Sequence, residues 1–159
     1  MKKLQLILTL SFTYTGFAQI YVTNGDDIHI AENIPFYTNE NVVNEGTISF
    51  AAGKQIDFIV DAGLDNSQGT LNFNDATLVV GSGTTNASST DSFIFNTNDN
   101  VKHVILNKNS GNANVTNGHL GITETLRSES GTLNAGDNVT LLNPDANDLA
   151  QVVESTGGS

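Results

Sequence analysis

An all-β fold of stacked coils, a parallel β-helix or closely related β-solenoid with about 20–23 residues per coil, is what this sequence predicts. Three observations carry that expectation. A five-residue phrase recurs as Gly46-Thr47-Ile48-Ser49-Phe50, Gly69-Thr70-Leu71-Asn72-Phe73, Gly111-Asn112-Ala113-Asn114-Val115 and Gly131-Thr132-Leu133-Asn134-Ala135. Asp91-Ser92-Phe93-Ile94-Phe95 is a degenerate copy with its apolar positions kept. From head to head the steps are 23, 22, 20 and 20 residues, and such a near-fixed period marks a quasi-one-dimensional repeat fold. Finally, apolar and polar residues alternate in short runs, as strands require, and no ten-residue stretch has the three-and-four spacing of a helix.

An antiparallel sandwich or jelly roll also accommodates short strands with frequent turns. The fixed period and the repeated phrase favour the solenoid. A leucine-rich repeat shares the period, but its L-x-x-L-x-L-x-x-N spacing is absent.

The strands follow in order. Ile20-Tyr21-Val22 opens, and Asp27-Ile28-His29-Ile30 alternates next. Val42-Val43 and Thr47 to Phe50 flank the turn Asn44-Glu45-Gly46, and Lys54 to Val60 alternates through Ile56, Phe58 and Val60. Thr70 to Phe73 and Ala76 to Val80 form the next pair, then Phe93 to Phe95 and Val101 to Leu106. Val115, Leu120 to Leu126, Leu133 and Val139 to Leu142 complete the series. Between them lie Asn-Gly, Ser-Gly and Asp-Asn pieces, which tolerate positive φ.

A single coil has too few apolar residues to bury them alone, so coils must stack. The repeat aligns Ile48, Leu71, Ile94, Ala113 and Leu133 as one inward column and Phe50, Phe73, Phe95, Val115 and Ala135 as a second. The core is then expected to taper from aromatic to small toward the C-terminus. The Gly heading each phrase is expected at a corner. Asn72, Asn114 and Asn134 are expected outside, where amides repeated once per coil can form ladders.

The chain has 159 residues, 6 basic and 17 acidic, with a formal charge of −11. That balance excludes a nucleic-acid or anionic-lipid surface, which needs clustered Lys and Arg. Cysteine is absent, which excludes disulfides, thiolate metal sites and cysteine catalysis. There are 21 Asn, a composition compatible with disorder, but the alternating apolar runs argue for a folded domain.

Residues 1–18 read as a secretory signal peptide: Lys2 and Lys3, an apolar run from Leu4, and Gly16-Phe17-Ala18 before a cleavage point at Gln19. Residues 19–159 are then the solenoid domain. The apolar run is too short and too broken to span a bilayer, so no membrane insertion is expected.

Catalysis on a β-helix usually needs carboxylates converging from neighbouring coils. Asp57, Asp61, Asp65, Asp75 and Asp99 are candidates, but none repeats at the coil period. Calcium binding is the one cofactor worth weighing, through oxygen-rich loops containing Asp26, Asp27, Asp99, Asp145 and Asp148. Turn formation by Asx residues accounts for the same loops, which match no calcium-loop signature. His29, His103 and His119 are too dispersed to read as a metal set and are expected to face solvent. The outward pairs Thr47/Ser49, Thr70/Asn72, Ser92/Ile94, Asn112/Asn114 and Thr132/Asn134 make a partly regular polar column, short of the regularity an ice-binding face requires.

The run His119-Leu120-Gly121-Ile122-Thr123-Glu124-Thr125-Leu126, followed by Ser130-Gly131-Thr132-Leu133-Asn134-Ala135-Gly136-Asp137-Asn138-Val139-Thr140-Leu141, resembles a segment of large secreted surface proteins of the Bacteroidetes. There it closes an Asn- and Gly-rich β-helical region, and the ending Gly16-Phe17-Ala18-Gln19 is similar too. The resemblance covers about residues 100–159 and the leader. It implies an exported, adhesin-like, non-catalytic structural module that contacts extracellular glycan or protein. It also implies further domains of the same polypeptide beyond Ser159, with a type IX sorting domain last. A carbohydrate-binding or carbohydrate-cleaving β-helix and an ice-binding solenoid are the alternatives.

Overall fold

The structure is a computed structural model that describes residues 19–83, 90–97, 99–142 and 151–154. The leader assigned to residues 1–18 lies outside them. Among the described residues fourteen strands follow one another: β1 (Ile20–Val22), β2 (Asp27–Ile30), β3 (Phe36–Thr38), β4 (Val42–Asn44), β5 (Thr47–Phe50), β6 (Asp57–Val60), β7 (Leu64–Asp65), β8 (Thr70–Asn72), β9 (Thr77–Val80), β10 (Thr90–Ile94), β11 (Asp99–Asn117), β12 (Leu120–Asn134), β13 (Val139–Leu141) and β14 (Gln151–Glu154). Every pairing is parallel, and among the described residues there is no helix. The chain is a parallel β-solenoid of about five turns.

Each coil contributes to three faces. The first face stacks β1, β4, β7, β10, the end of β11 and the end of β12. The second stacks β2, β5 and β8, then the starts of β11 and β12 and all of β13. The third stacks β3, β6, β9, the middles of β11 and β12, and β14. Ile20, Val42 and Leu64 are successive register partners 22 residues apart. The next partner is Phe93, because the third coil carries extra chain between Val80 and Thr90. After it, Phe93 pairs with Val115, and the step of 22 returns.

Alternation explains which side chains turn inward. Phe50 and Phe73 on the second face and Phe58 on the third are at most 1% exposed. Phe50 and Phe73 stack with centroids 5.8 Å apart and planes 7° apart, while Phe58 tilts against both at 5.4 and 6.4 Å. Such pairs add about 0.5–1.5 kcal/mol each beyond the burial of their area. Toward the C-terminus, Val104, Ala113, Val115 and Ile122 replace them, and a void of about 10 Å³ remains among these side chains. The taper expected from the sequence is therefore present.

The predicted inward columns need correction. Ile48 stacks on Leu71 on the second face, but Ala113 and Leu133 pair on the first. Ile94 pairs with Asp65 and points outward, while its neighbours Phe93 and Phe95 are buried. The repeated phrase thus merges two different faces. A glycine followed by an alternating tetrad can open a strand on either face, so the phrase recurs without marking one column. Three strands, β3, β7 and β14, also escaped the sequence reading. β3 and β7 have only three and two residues, too short for alternation to register, and β14 is the apolar pair Val152-Val153 between two polar residues.

Glycine heads the corner phrases because of close approach. A Cβ on Gly46 would lie 2.4 Å from the Asp26 carbonyl oxygen, and one on Gly69 would lie 2.4 Å from the Asn44 carbonyl oxygen. The abundant Asn serve the same corners, where backbone groups fall outside the ladders and still need partners. Asn74 donates to the Phe50 carbonyl (2.6 Å), Asn96 to Gly69 (3.1 Å) and Asn138 to Val115 (2.8 Å), while Asn41 accepts from the Gly63 N–H (2.8 Å). Inside the corner between the first and second faces, Asn44 Nδ2 donates to Asn66 Oδ1 (2.6 Å) and Asn66 Nδ2 to Asp99 Oδ2 (2.7 Å). Of the ladder expected from Asn72, Asn114 and Asn134, the outer pair Asn134 to Asn114 (2.8 Å) forms on the first face, while Asn72 lies on the second.

Candidate binding face

On the second face, strand alternation turns one side chain per coil outward in a single row. His29 lies opposite Ser49, and Ser49 opposite Asn72. Asn100 is the corresponding residue of β11, opposite Gly121, which is opposite Thr140. Gly121 makes room for its neighbour, because a Cβ there would lie 2.1 Å from Asn100 Oδ1. Successive rungs are about 4.8 Å apart, the spacing of paired strands.

The row is interrupted at one place. β2, β5 and β8 form a three-stranded sheet, while the start of β11 belongs to the other sheet. β8 therefore ends its ladder without a β11 partner. At that break lies an open groove of about 490 Å³, walled by His29, Ser49, Asn72, Asn74 and Asn100, with Leu71 and Phe73 beneath. His29 Nδ1 and Ser49 Oγ are 2.9 Å apart. A serine nucleophile also needs a group that orients the histidine, and no contact of that kind is made to His29 among the described residues.

The corner between the second and third faces gathers charge from three coils. Asp75 accepts from Lys102 (2.5 Å) and from the Gly53 N–H (2.6 Å), Glu124 lies 3.9 Å from Lys102, and His103 Nε2 lies 3.2 Å from Glu124. The Lys102 hydrogen bond, helped by Gly53, holds the Asp75 carboxyl below its usual range, and the same bond raises Lys102. Both shifts move these groups away from neutrality, the opposite of what proton transfer at neutral pH requires. The arrangement suits an exposed ion network.

The calcium candidates are separated. Asp26 accepts from Thr23 in the first turn, with Asp27 beside it at the start of β2. Asp99 points into the core, 5% exposed, where it accepts from Asn66 (2.7 Å) and from the Asn96 N–H (2.8 Å). Burial pushes its carboxyl up, against the pull of those two bonds. Asp145 and Asp148 lie outside the described residues. Among the described residues no three His, Asp or Glu are grouped to hold a metal ion, and no helix is long and apolar enough to cross a membrane.

The other sequence candidates also disperse. Asp57 is exposed on the third face, Asp61 is buried at the corner between the third and first faces, and Asp65 lies on the first. His119 contacts Thr140 (2.8 Å) at the far end of the second face, and His103, half-buried, also meets Thr125 (2.8 Å). Sequence reasoning missed Asn100 as a groove residue, having placed it in an oxygen-rich loop. Its alternation with the inward Asp99 and Val101 was the available signal. It also missed Lys108, which continues the inward series Val104, Leu106 and is fully buried. Compared with known protein families, with curated proteins and with solved structures, the chain matches none.

Proposed function

We propose that this chain is a non-catalytic, exported, adhesin-like module of a cell-surface protein that holds extracellular polysaccharide along its second face. One observation carries the reading: the groove where the imidazole, hydroxyl and amide rungs of four successive coils, His29, Ser49, Asn72 and Asn100, converge. Amides and hydroxyls donate and accept at once, which suits sugar hydroxyls. The net charge of −11 disfavours anionic polymers, so the ligand is a neutral glycan. Export rests on the leader-like residues 1–18, and the surface role on the resemblance to Bacteroidetes surface proteins. The cleaving alternative has less support, because its candidate carboxylates occupy different faces.

The test is sedimentation of the purified protein with insoluble neutral polysaccharides. Retention is expected for the wild type and is expected to fall about tenfold or more when Asn72 and Asn100 are both changed to Ala, since each lost hydrogen bond removes about 0.5–1.5 kcal/mol. Equal retention of wild type and variant would refute the assignment of the groove.

A further inference from the structure

Lys108 is fully buried, at the corner between the third and first faces. The site is built for it. A Cβ on Gly131, one coil above, would lie 2.6 Å from the Lys108 Cβ, and a Cβ on Gly81, one coil below, would lie 3.0 Å from its Cα. Gly131 thus leaves room for the start of the lysine stem, while Gly81 lets the Asn107–Lys108 main chain approach, a Cβ there lying 2.4 Å from the Asn107 carbonyl oxygen. The Nζ meets two groups: the Asp61 main-chain carbonyl at 2.9 Å and, in direct contact, the carboxylate of Asp91, whose side chain is 14% exposed. Asp91 takes part in a further interaction as well. Its register partner on the next coil is Ala113, an inward, fully buried position. Asp91 and Lys108 are 17 residues apart in the chain and come from opposite ends of one coil.

Two charges enclosed in a low-dielectric interior are costly, and passing a proton from ammonium to carboxylate leaves a neutral amine against a neutral acid. That is the reactive pairing for an amide. In water the condensation is opposed by solvent and by the rarity of encounter. Held in contact, such groups reach effective molarities on the order of 10⁵ M or more, and burial excludes water from the product.

We propose that Lys108 and Asp91 condense into an intramolecular isopeptide bond. The Nζ lone pair attacks Asp91 Cγ, the Nζ–Cγ bond forms, the Cγ–OH bond breaks, and the departing hydroxyl takes one proton from Nζ. One ammonium and one carboxylate become one amide and one water, with no oxidant or cofactor. The Asp61 carbonyl fixes the nitrogen during the attack. The bond closes one coil into a covalent ring, and that holds whatever the second face binds.

The experiment is intact-mass spectrometry of the purified full chain under denaturing conditions, followed by peptide mapping. The expected result is a mass lower by one water and a branched peptide joining Lys108 to Asp91. The Lys108→Arg chain is expected to have its full mass. An unmodified wild-type mass, with the peptides bearing Lys108 and Asp91 recovered separately, overturns the proposal. So does a water loss that maps elsewhere. The wild-type measurement decides the matter even if the arginine variant fails to fold.

Discussion

The second and third faces share one backbone geometry and differ in what they turn outward. The outward row of the second face is His29, Ser49, Asn72 and Asn100. The outward row of the third face is Tyr37, Ile59, Val79, Ile105 and Arg127, successive partners in register. Their inward rows are equally apolar: Ile48, Phe50, Leu71 and Phe73 behind one, Phe58, Val60, Leu78 and Val104 behind the other. The core therefore does not dictate the outer row. On the third face the apolar rungs cover one another, so that Val79 is only 8% exposed, and this row helps hold the coils together. The second face leaves its row polar and open, with a break in the ladder between β8 and β11.

The largest expected effect removes what the two faces share. Phe73→Ala opens a cavity against Phe50 and Phe58 and is expected to lower stability by about 3–5 kcal/mol in chemical denaturation. A loss below about 1 kcal/mol would show that the coils collapse around the gap and that the aromatic stack is not the centre of the core.

Next comes the direct comparison of the outer rows. Val79→Ser is expected to lower stability by about 1–2 kcal/mol, from lost apolar burial between rungs. Asn72→Ser, at a matching outward position on the second face, is expected to change it by less than about 0.5 kcal/mol. Equal losses would erase the distinction drawn between the faces.

The smallest effect concerns Asp99, which lies behind the second face. Its folded carboxyl is raised by burial, so the folded state binds the proton more tightly than the unfolded state. The contribution of Asp99 to stability therefore rises as pH falls through the raised value toward the ordinary carboxylate range, and is lower at neutral pH. Both hydrogen bonds received by Asp99 end on Oδ2, so an amide oxygen can keep them. Asp99→Asn is expected to be more stable than wild type at pH 7, with the gap closing in acid. Thermal melts at two pH values read this out, and a variant less stable at pH 7 would mean the charge is used inside the fold.

Much of the architecture was legible in the sequence. Period-2 alternation located most strands, and the 20–23-residue spacing announced the stacking. What misled was the repeated phrase, because a glycine corner and an alternating tetrad serve any face: Ile48 and Ala113 share a phrase position but not a column. The corners were harder still. Asn44 and Asp99 looked like turn or loop residues, yet with Asn66 they form an interior chain of hydrogen bonds. Their sequence neighbours do not reveal it, since the partners are 22 and 33 residues apart. The groove was illegible for a related reason. It arises where β8 and β11 fail to pair, and a missing ladder leaves no mark in composition. Lys108 was legible in principle, by extending the alternation two residues past Leu106, but a lysine ordinarily ends an inward series.

The most direct measurement of the account compares the two faces as binding surfaces. Neutral-polysaccharide sedimentation would be run on the Asn72→Ala, Asn100→Ala double variant and on an Ile59→Thr, Ile105→Thr double variant of the third face, both checked for folding by circular dichroism. The account predicts that retention falls about tenfold or more in the first and is unchanged in the second. Retention lost only in the third-face variant would contradict it and move the binding surface to the apolar row.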